Sequence, residues 1–127
     1  MGKISYSAVV LDERSRERLI EQFKSEIPEG WKIIAHHMTI NLGEINPKYV
    51  KYLGLIVNLT VNDIAMDDKV IAVGVSGFYS QNVKPHITLA VNTENGGKPM
   101  MSNKLTDWRP IKRPLQITGK IVEVEYK

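Results

Sequence analysis

Histidine and threonine occur together twice in this 127-residue chain, in the same arrangement. One copy is His37-Met38-Thr39-Ile40 and the other is His86-Ile87-Thr88-Leu89. Both lie in runs rich in β-branched residues, KIIAHHMTINL and PHITLAV, that read as strands. Strand side chains alternate between faces, so His37 and Thr39 share one face while Met38 and Ile40 take the other. By the same alternation His86, Thr88 and Ala90 share a face, and Ile87, Leu89 and Val91 point to a core. Two such strands around one point would supply two imidazoles and two hydroxyls. That set suits metal-free cleavage of a phosphodiester. One neutral imidazole takes a proton from the attacking oxygen, and one protonated imidazole gives a proton to the leaving oxygen. Histidine titrates near 6.5, so both forms are accessible near neutral pH. The threonine hydroxyls would donate to the non-bridging oxygens as charge grows there.

A single histidine two residues before a threonine in a strand is ordinary. Two copies in a chain with only three histidines are not. The remaining histidine, His36, is adjacent to His37 and, in a regular strand, points to the opposite face. It reads as a supporting residue and not as a ligand. No third acidic or histidine ligand has sensible spacing near either tetrad, so no metal and no cofactor are expected.

The elements that must position these residues can be read from periodicity. Residues 5–11 read as a first strand. Asp12 can cap a helix over about residues 13–27, where Leu19, Ile20, Phe23 and Ile27 form an apolar stripe. Residues 32–42 read as one strand carrying the first tetrad, and 47–53 as a short helix. Strands follow at 55–66 and 70–75, then 85–91 with the second tetrad. Residues 93–98 form a loop. Ser102 can cap a short helix through Trp108, stopped by Pro110, and 115–126 is a closing strand. Separated helices among more numerous strands predict an α+β domain with antiparallel sheet, residues 1–127 forming a single domain.

Composition narrows the function classes. The chain contains no cysteine, which removes disulfides, thiolate metal sites and cysteine nucleophiles. Hydrophobic residues make up 43%, an ordinary globular share, and the formal net charge of +3 is mildly favourable to a polyanion. No apolar run reaches the roughly 18 residues of a membrane span, and the N-terminal segment lacks a leader's apolar stretch. A cytoplasmic protein with no membrane association is the expectation.

The duplicated tetrads resemble the signature of the two-histidine (2H) phosphoesterase superfamily, which includes the LigT-like RNA cyclic phosphodiesterases. The likeness spans most of the chain. The segment Gly97-Lys98-Pro99-Met100-Met101-Ser102-Asn103-Lys104-Leu105 is similar, more loosely, to the cyclic phosphodiesterase domain of fungal and plant tRNA ligases. The resemblance implies a bilobal, pseudo-symmetric α+β fold, with antiparallel sheets forming a central groove and flanking helices. It implies His37 and His86 as the acid–base pair and Thr39 and Thr88 as phosphate clamps. It also implies hydrolysis of a 2′,3′-cyclic phosphate, on an RNA end or a nucleoside, to a 2′-phosphate. Which histidine is the base stays open. The chain is shorter than LigT-like members, and small phage-encoded relatives degrade cyclic oligonucleotide immune signals. That substrate, or nucleotide binding without catalysis, is the alternative. Tyr6, Lys84, Ser102 and Asn103 are further candidates for the substrate groove. Tyr6 sits on a strand expected to flank it, Lys84 just precedes the second tetrad, and Ser102 and Asn103 follow it. Trp31 and Trp108 could stack on bases, with packing at the edge of the core as the plainer role. The expected partner is a nucleotide or RNA end, and the expected state is a monomer.

Overall fold

The computed structural model describes residues 2–126. Seven strands and one α-helix form the frame: β1 (Ile4–Leu11), α1 (Glu13–Phe23), β2 (Lys32–Ile33), β3 (His37–Leu42), β4 (Ile56–Met66), β5 (Val70–Ser76), β6 (His86–Val91) and β7 (Arg109–Glu125). All strand pairings are antiparallel. Neighbours run β6-β3-β1-β7-β4-β5, and β5 pairs back onto β6, so six strands close into a barrel with β2 added beside β6.

This overturns the expected bilobal α+β architecture. Among the described residues the molecule is mostly β, a single closed barrel with one α-helix, and it lacks two helix-bearing lobes. Two of the expected helices form only short 3₁₀ segments, at Pro47–Tyr52 and Pro99–Lys104. Each begins at a proline and is too short to bury an amphipathic stripe of its own. The barrel closes because β5 has a neighbour on both edges, pairing with β4 through its residues 71–76 and with β6 through its residues 70–74. Periodicity reveals that β5 is a strand; it does not reveal which strands it joins. Closure leaves no free sheet edge along those segments.

The interior is aliphatic. Val9, Met38, Val73, Ile87 and Ile121 are fully buried. They pair across neighbouring strands: Val9 with Met38 and Ile121, and Ile87 with Met38 and Val73. Burial of each large side chain contributes roughly 1.5–3 kcal/mol, so the apolar positions of both tetrads are anchors. Helix α1 starts at Asp12, whose carboxylate accepts from the Ser15 amide at 2.7 Å. It lays Leu19 and Phe23 into the same core.

Three local departures from the periodic reading matter. Residues 32–42 are not one strand. They break at Ala35, fully buried at φ 42°, while Ile34 and Ala35 keep donating to the Leu89 and Thr88 carbonyls of β6. Ser102 does not cap a helix; it lies inside the 99–104 segment, buried. Pro110 does not stop the chain before the last strand, because β7 already begins at Arg109. Its first residues pair only with β4, since β1 joins β7 from Gly119 onward. A strand with one free edge tolerates proline's missing donor. Among the described residues no helix is long and apolar enough to cross a membrane.

Candidate active site

The barrel brings the two tetrads side by side. Met38 on β3 is paired with Ile87 on β6. His37 and Thr39 flank Met38, and His86 and Thr88 flank Ile87, so the pairing brings the two imidazoles into one neighbourhood. Two imidazoles carried beside one cross-strand pair can reach one phosphorus centre. With Met38 and Ile87 committed to the core, their flanking residues face outward, and His37, Thr39, His86 and Thr88 line one groove of about 360 Å³. Tyr6, Ile34, Leu42, Gln81, Asn82 and Asn103 contribute to its walls.

The two imidazoles are held differently. His86 is nearly buried, and its Nδ1 lies 2.7 Å from the Lys84 carbonyl oxygen. A carbonyl only accepts, so Nδ1 carries the hydrogen and Nε2 is left with its lone pair. Burial pushes the His86 pKa down, opposed by that hydrogen bond. His37 is half-buried; the Tyr6 ring stacks on it with centroids 4.8 Å apart. Burial, then the charges of His36 and His86, push its pKa down to about 4. Both rings are therefore neutral near pH 7.

The hydroxyls differ as well. Thr88 Oγ1 lies 2.8 Å from Ser102 Oγ and donates to the Pro99 carbonyl at 3.3 Å. The 99–104 segment thus ties down the second tetrad. The Thr39 hydroxyl makes no such bond among the described residues; the Thr39 carbonyl accepts from Ser80 Oγ at 2.7 Å.

Of the four further residues expected at the groove, Tyr6 and Asn103 line it. Ser102 does not; it is buried beneath Thr88. Lys84 also lies outside it. Its ammonium is 2.5 Å from the Asp63 carboxylate and 5.0 Å from the centre of the Trp108 ring. Lys84, Ser102 and Trp108 instead line an adjoining chamber of about 410 Å³, which shares Gln81, Asn82, His86 and Asn103 with the groove. Trp31 packs at the edge of the main core.

Three contributions escape sequence reasoning. Gln81 and Asn82 reach the groove from an irregular segment, which no periodicity marks. Gly74, paired with His86 and with Asp63, is required by packing. A Cβ there would sit 1.9 Å from Asp63 Oδ1 and 2.7 Å from Lys84 Cε. His36 and His37, expected on opposite faces, instead bring their Nδ1 atoms to 2.9 Å. The Ala35 break removes the regular strand that alternation assumes. Among the described residues no group of three or more His, Asp or Glu is arranged to hold a metal ion.

A larger cavity, about 1080 Å³, lies elsewhere, between α1 and the start of β7. It contains no histidine and interleaves Glu17, Glu21 and Glu26 with Arg18, Arg109, Lys112 and Arg113, so the tetrad groove, with its facing imidazoles, is the better seat for chemistry. Comparison with known proteins finds no matching family model, no matching curated protein and no matching solved structure.

Proposed function

We propose that this protein is a metal-independent phosphodiesterase that opens a nucleotide 2′,3′-cyclic phosphate by two-histidine acid–base catalysis. The observation that carries the reading is the Met38–Ile87 pairing, which gathers His37, Thr39, His86 and Thr88 around one groove. The resemblance of the tetrads to those of 2H phosphoesterases points the same way, although the bilobal fold it implied is absent.

The asymmetry of the two rings suggests their roles. His86, with Nδ1–H fixed on the Lys84 carbonyl, offers an Nε2 lone pair and serves as the base that takes a proton from water. The water oxygen bonds to phosphorus, the P–O3′ bond breaks, and O3′ receives a proton from His37, leaving a 2′-phosphate. The acid must be charged, yet burial and the neighbouring histidines push the His37 pKa down to about 4. The substrate resolves this. A phosphate monoanion about 4 Å from the ring favours the imidazolium by about 4 kcal/mol at an effective dielectric of about 20. At 1.36 kcal/mol per pKa unit, that is about 3 units, enough to bring His37 near neutrality. Binding and protonation of the acid are then one event. Thr39 and Thr88 hold the non-bridging oxygens, and Tyr6 braces the His37 ring.

The chamber beyond His86 favours a second reading of the substrate, one that continues past the reacting phosphate. An RNA end or a cyclic oligonucleotide would fill both spaces, whereas a mononucleotide fills one.

The test is turnover, with chelator present, of nucleoside 2′,3′-cyclic phosphates, of RNA ending in a cyclic phosphate, and of cyclic di- and trinucleotides. Failure to turn over any of these sinks the reading. Stoichiometric binding without turnover would instead mark a nucleotide-binding module.

A further inference from the structure

We infer that Asp63 is a positioning residue: through the Lys84 side chain it holds the Lys84 carbonyl against His86 Nδ1, and so keeps the Nε2 lone pair of His86 available to the groove. The inference deepens the base role proposed for His86 and rests on it.

The register places Asp63 on the row of His86. Gly74 on β5 is paired with His86 on β6 and with Asp63 on β4. Residues paired directly across a ladder share a face, so His86, Gly74 and Asp63 form one cross-strand row. Strict alternation along β4 would instead give Asp63 the face of Val61, which is fully buried. A register shift between Val61 and Asp63 intervenes, in the pairings with both β5 and β7. Asn62 is the extra residue, and the positions buried in the core become Val61 and Ile64. Bulges of this kind re-aim side chains beside active sites. Here the bulge turns a carboxylate out of the core and across Gly74. The missing side chain makes the room, since a Cβ at residue 74 would collide with Asp63 Oδ1 and Lys84 Cε.

The carboxylate is committed to one partner. Asp63 Oδ2 lies 2.5 Å from Lys84 Nζ. The same ammonium sits 5.0 Å from the centre of the Trp108 ring, whose Nε1 donates to the Leu105 carbonyl at 3.3 Å. Asp63 Oδ1 is buried and, among the described residues, is left without a hydrogen-bond partner. An unpaired buried oxygen opposes folding. A side chain that only filled this place would not carry that cost.

Lys84 needs the tie. It precedes β6, in the irregular run after β5, and Pro85 restricts it to extended conformations without locating it. The nearest backbone tie to β5 runs from the Val75 amide to the Pro85 carbonyl at 3.0 Å. The Lys84 carbonyl lies beyond that tie and accepts from His86 Nδ1 at 2.7 Å. In a neutral imidazole the bond made by one nitrogen decides which nitrogen carries the hydrogen. A displaced carbonyl would let that hydrogen appear on Nε2. His86 would then present an N–H to the groove, where a base needs a lone pair. Asp63 lines neither the groove nor the adjoining chamber, so its influence passes through Lys84.

Two measurements test this on the full chain. In ¹⁵N NMR at neutral pH without ligand, native His86 should show a protonated Nδ1 and an unprotonated Nε2. Asp63→Asn keeps the shape and removes the charge. Lys84→Met keeps an apolar stem and removes the ammonium. In both variants the His86 signals should move to a mixture of the two tautomers. A native-like single tautomer in both would overturn the inference, whatever the protein turns over. In kinetics, each variant should lower kcat about tenfold with little change in KM. The double variant should lose no more than either single one, because the two residues act in series. Multiplied losses, or a raised KM in Lys84→Met alone, would show Lys84 meeting the substrate directly and would overturn the clamp. A merely structural role would lower the urea midpoint of Asp63→Asn while the folded protein kept the native tautomer and kcat, and that result would overturn it too. Absence of turnover by the native chain would defeat the proposed function, and the tautomer measurement would still decide the clamp.

Discussion

The two tetrads are close to identical in sequence and unlike in their supports. On β6, His86 is nearly buried, oriented by a backbone carbonyl, and Thr88 is bonded to the buried Ser102. On β3, His37 is half-buried, oriented by another titratable ring, and Thr39 keeps its hydroxyl for a ligand. A carbonyl fixes one tautomer permanently. An imidazole partner permits either. The same four-residue pattern thus gives one strand with a fixed tautomer and one with an adjustable tautomer. Side chains define what chemistry is possible; their partners divide the labour.

The largest expected effect removes either ring. His37→Ala and His86→Ala should each lower kcat/KM by about 10² to 10⁴. If only one does, the pair is not a pair and the comparison fails. Next come the threonines. Thr39→Val should lower kcat by about 10- to 100-fold with an unchanged urea midpoint, since no bond in the folded chain is lost. Thr88→Val should lower the rate too, but also destabilise by about 1–3 kcal/mol, because Ser102 would be buried without its partner. Equal stability losses would erase the proposed difference between the strands.

The pH dependence of stability sharpens the contrast between the rings. His37 titrates at about 4 in the folded chain against 6.5 for the free side chain. Between those values the unfolded chain binds more protons, so stability rises with pH across that window. It falls as pH drops from about 6.5 toward 4, by about 3 kcal/mol at most. His86 acts in the same direction. Urea unfolding of His37→Asn should show a weaker loss over that window than the native chain, and an unchanged loss would refute the depressed His37 pKa. Gly74→Ala probes the far side of His86. Its methyl would collide with the Asp63–Lys84 pair, and overpacking of this sort costs typically about 1–3 kcal/mol. The smallest effect belongs to the adjoining chamber. Trp108→Ala should raise KM a few-fold for RNA ends while leaving mononucleotide cyclic phosphates unchanged; equal changes would remove the chamber from substrate binding.

Much of the local structure is legible in the chain. Alternation in HMTI and HITL puts Met38 and Ile87 in the core and turns the histidines outward, because a two-residue period leaves no other face for the apolar set. The Leu19 and Phe23 spacing marks α1, and Asp12 marks its start. Tyr6 and Asn103 were readable as groove residues from their neighbourhood in the sequence. The partner of Lys84 is not legible in the chain, since its ammonium is drawn to Asp63, a residue 21 positions away on another strand.

What the sequence determined by itself is the duplicated pattern of imidazole and hydroxyl groups and the face each strand turns away from the core; both depend on residues within a few positions of one another. What only the tertiary structure decided is how those groups are shared out. Closure of the barrel through β5 and β6, the break at Ala35 that turns His36 onto His37, and the burial of Ser102 under Thr88 all depend on contacts between distant segments. Hydrogen-bond partners and desolvation set tautomer and charge, and both are properties of the assembled surroundings.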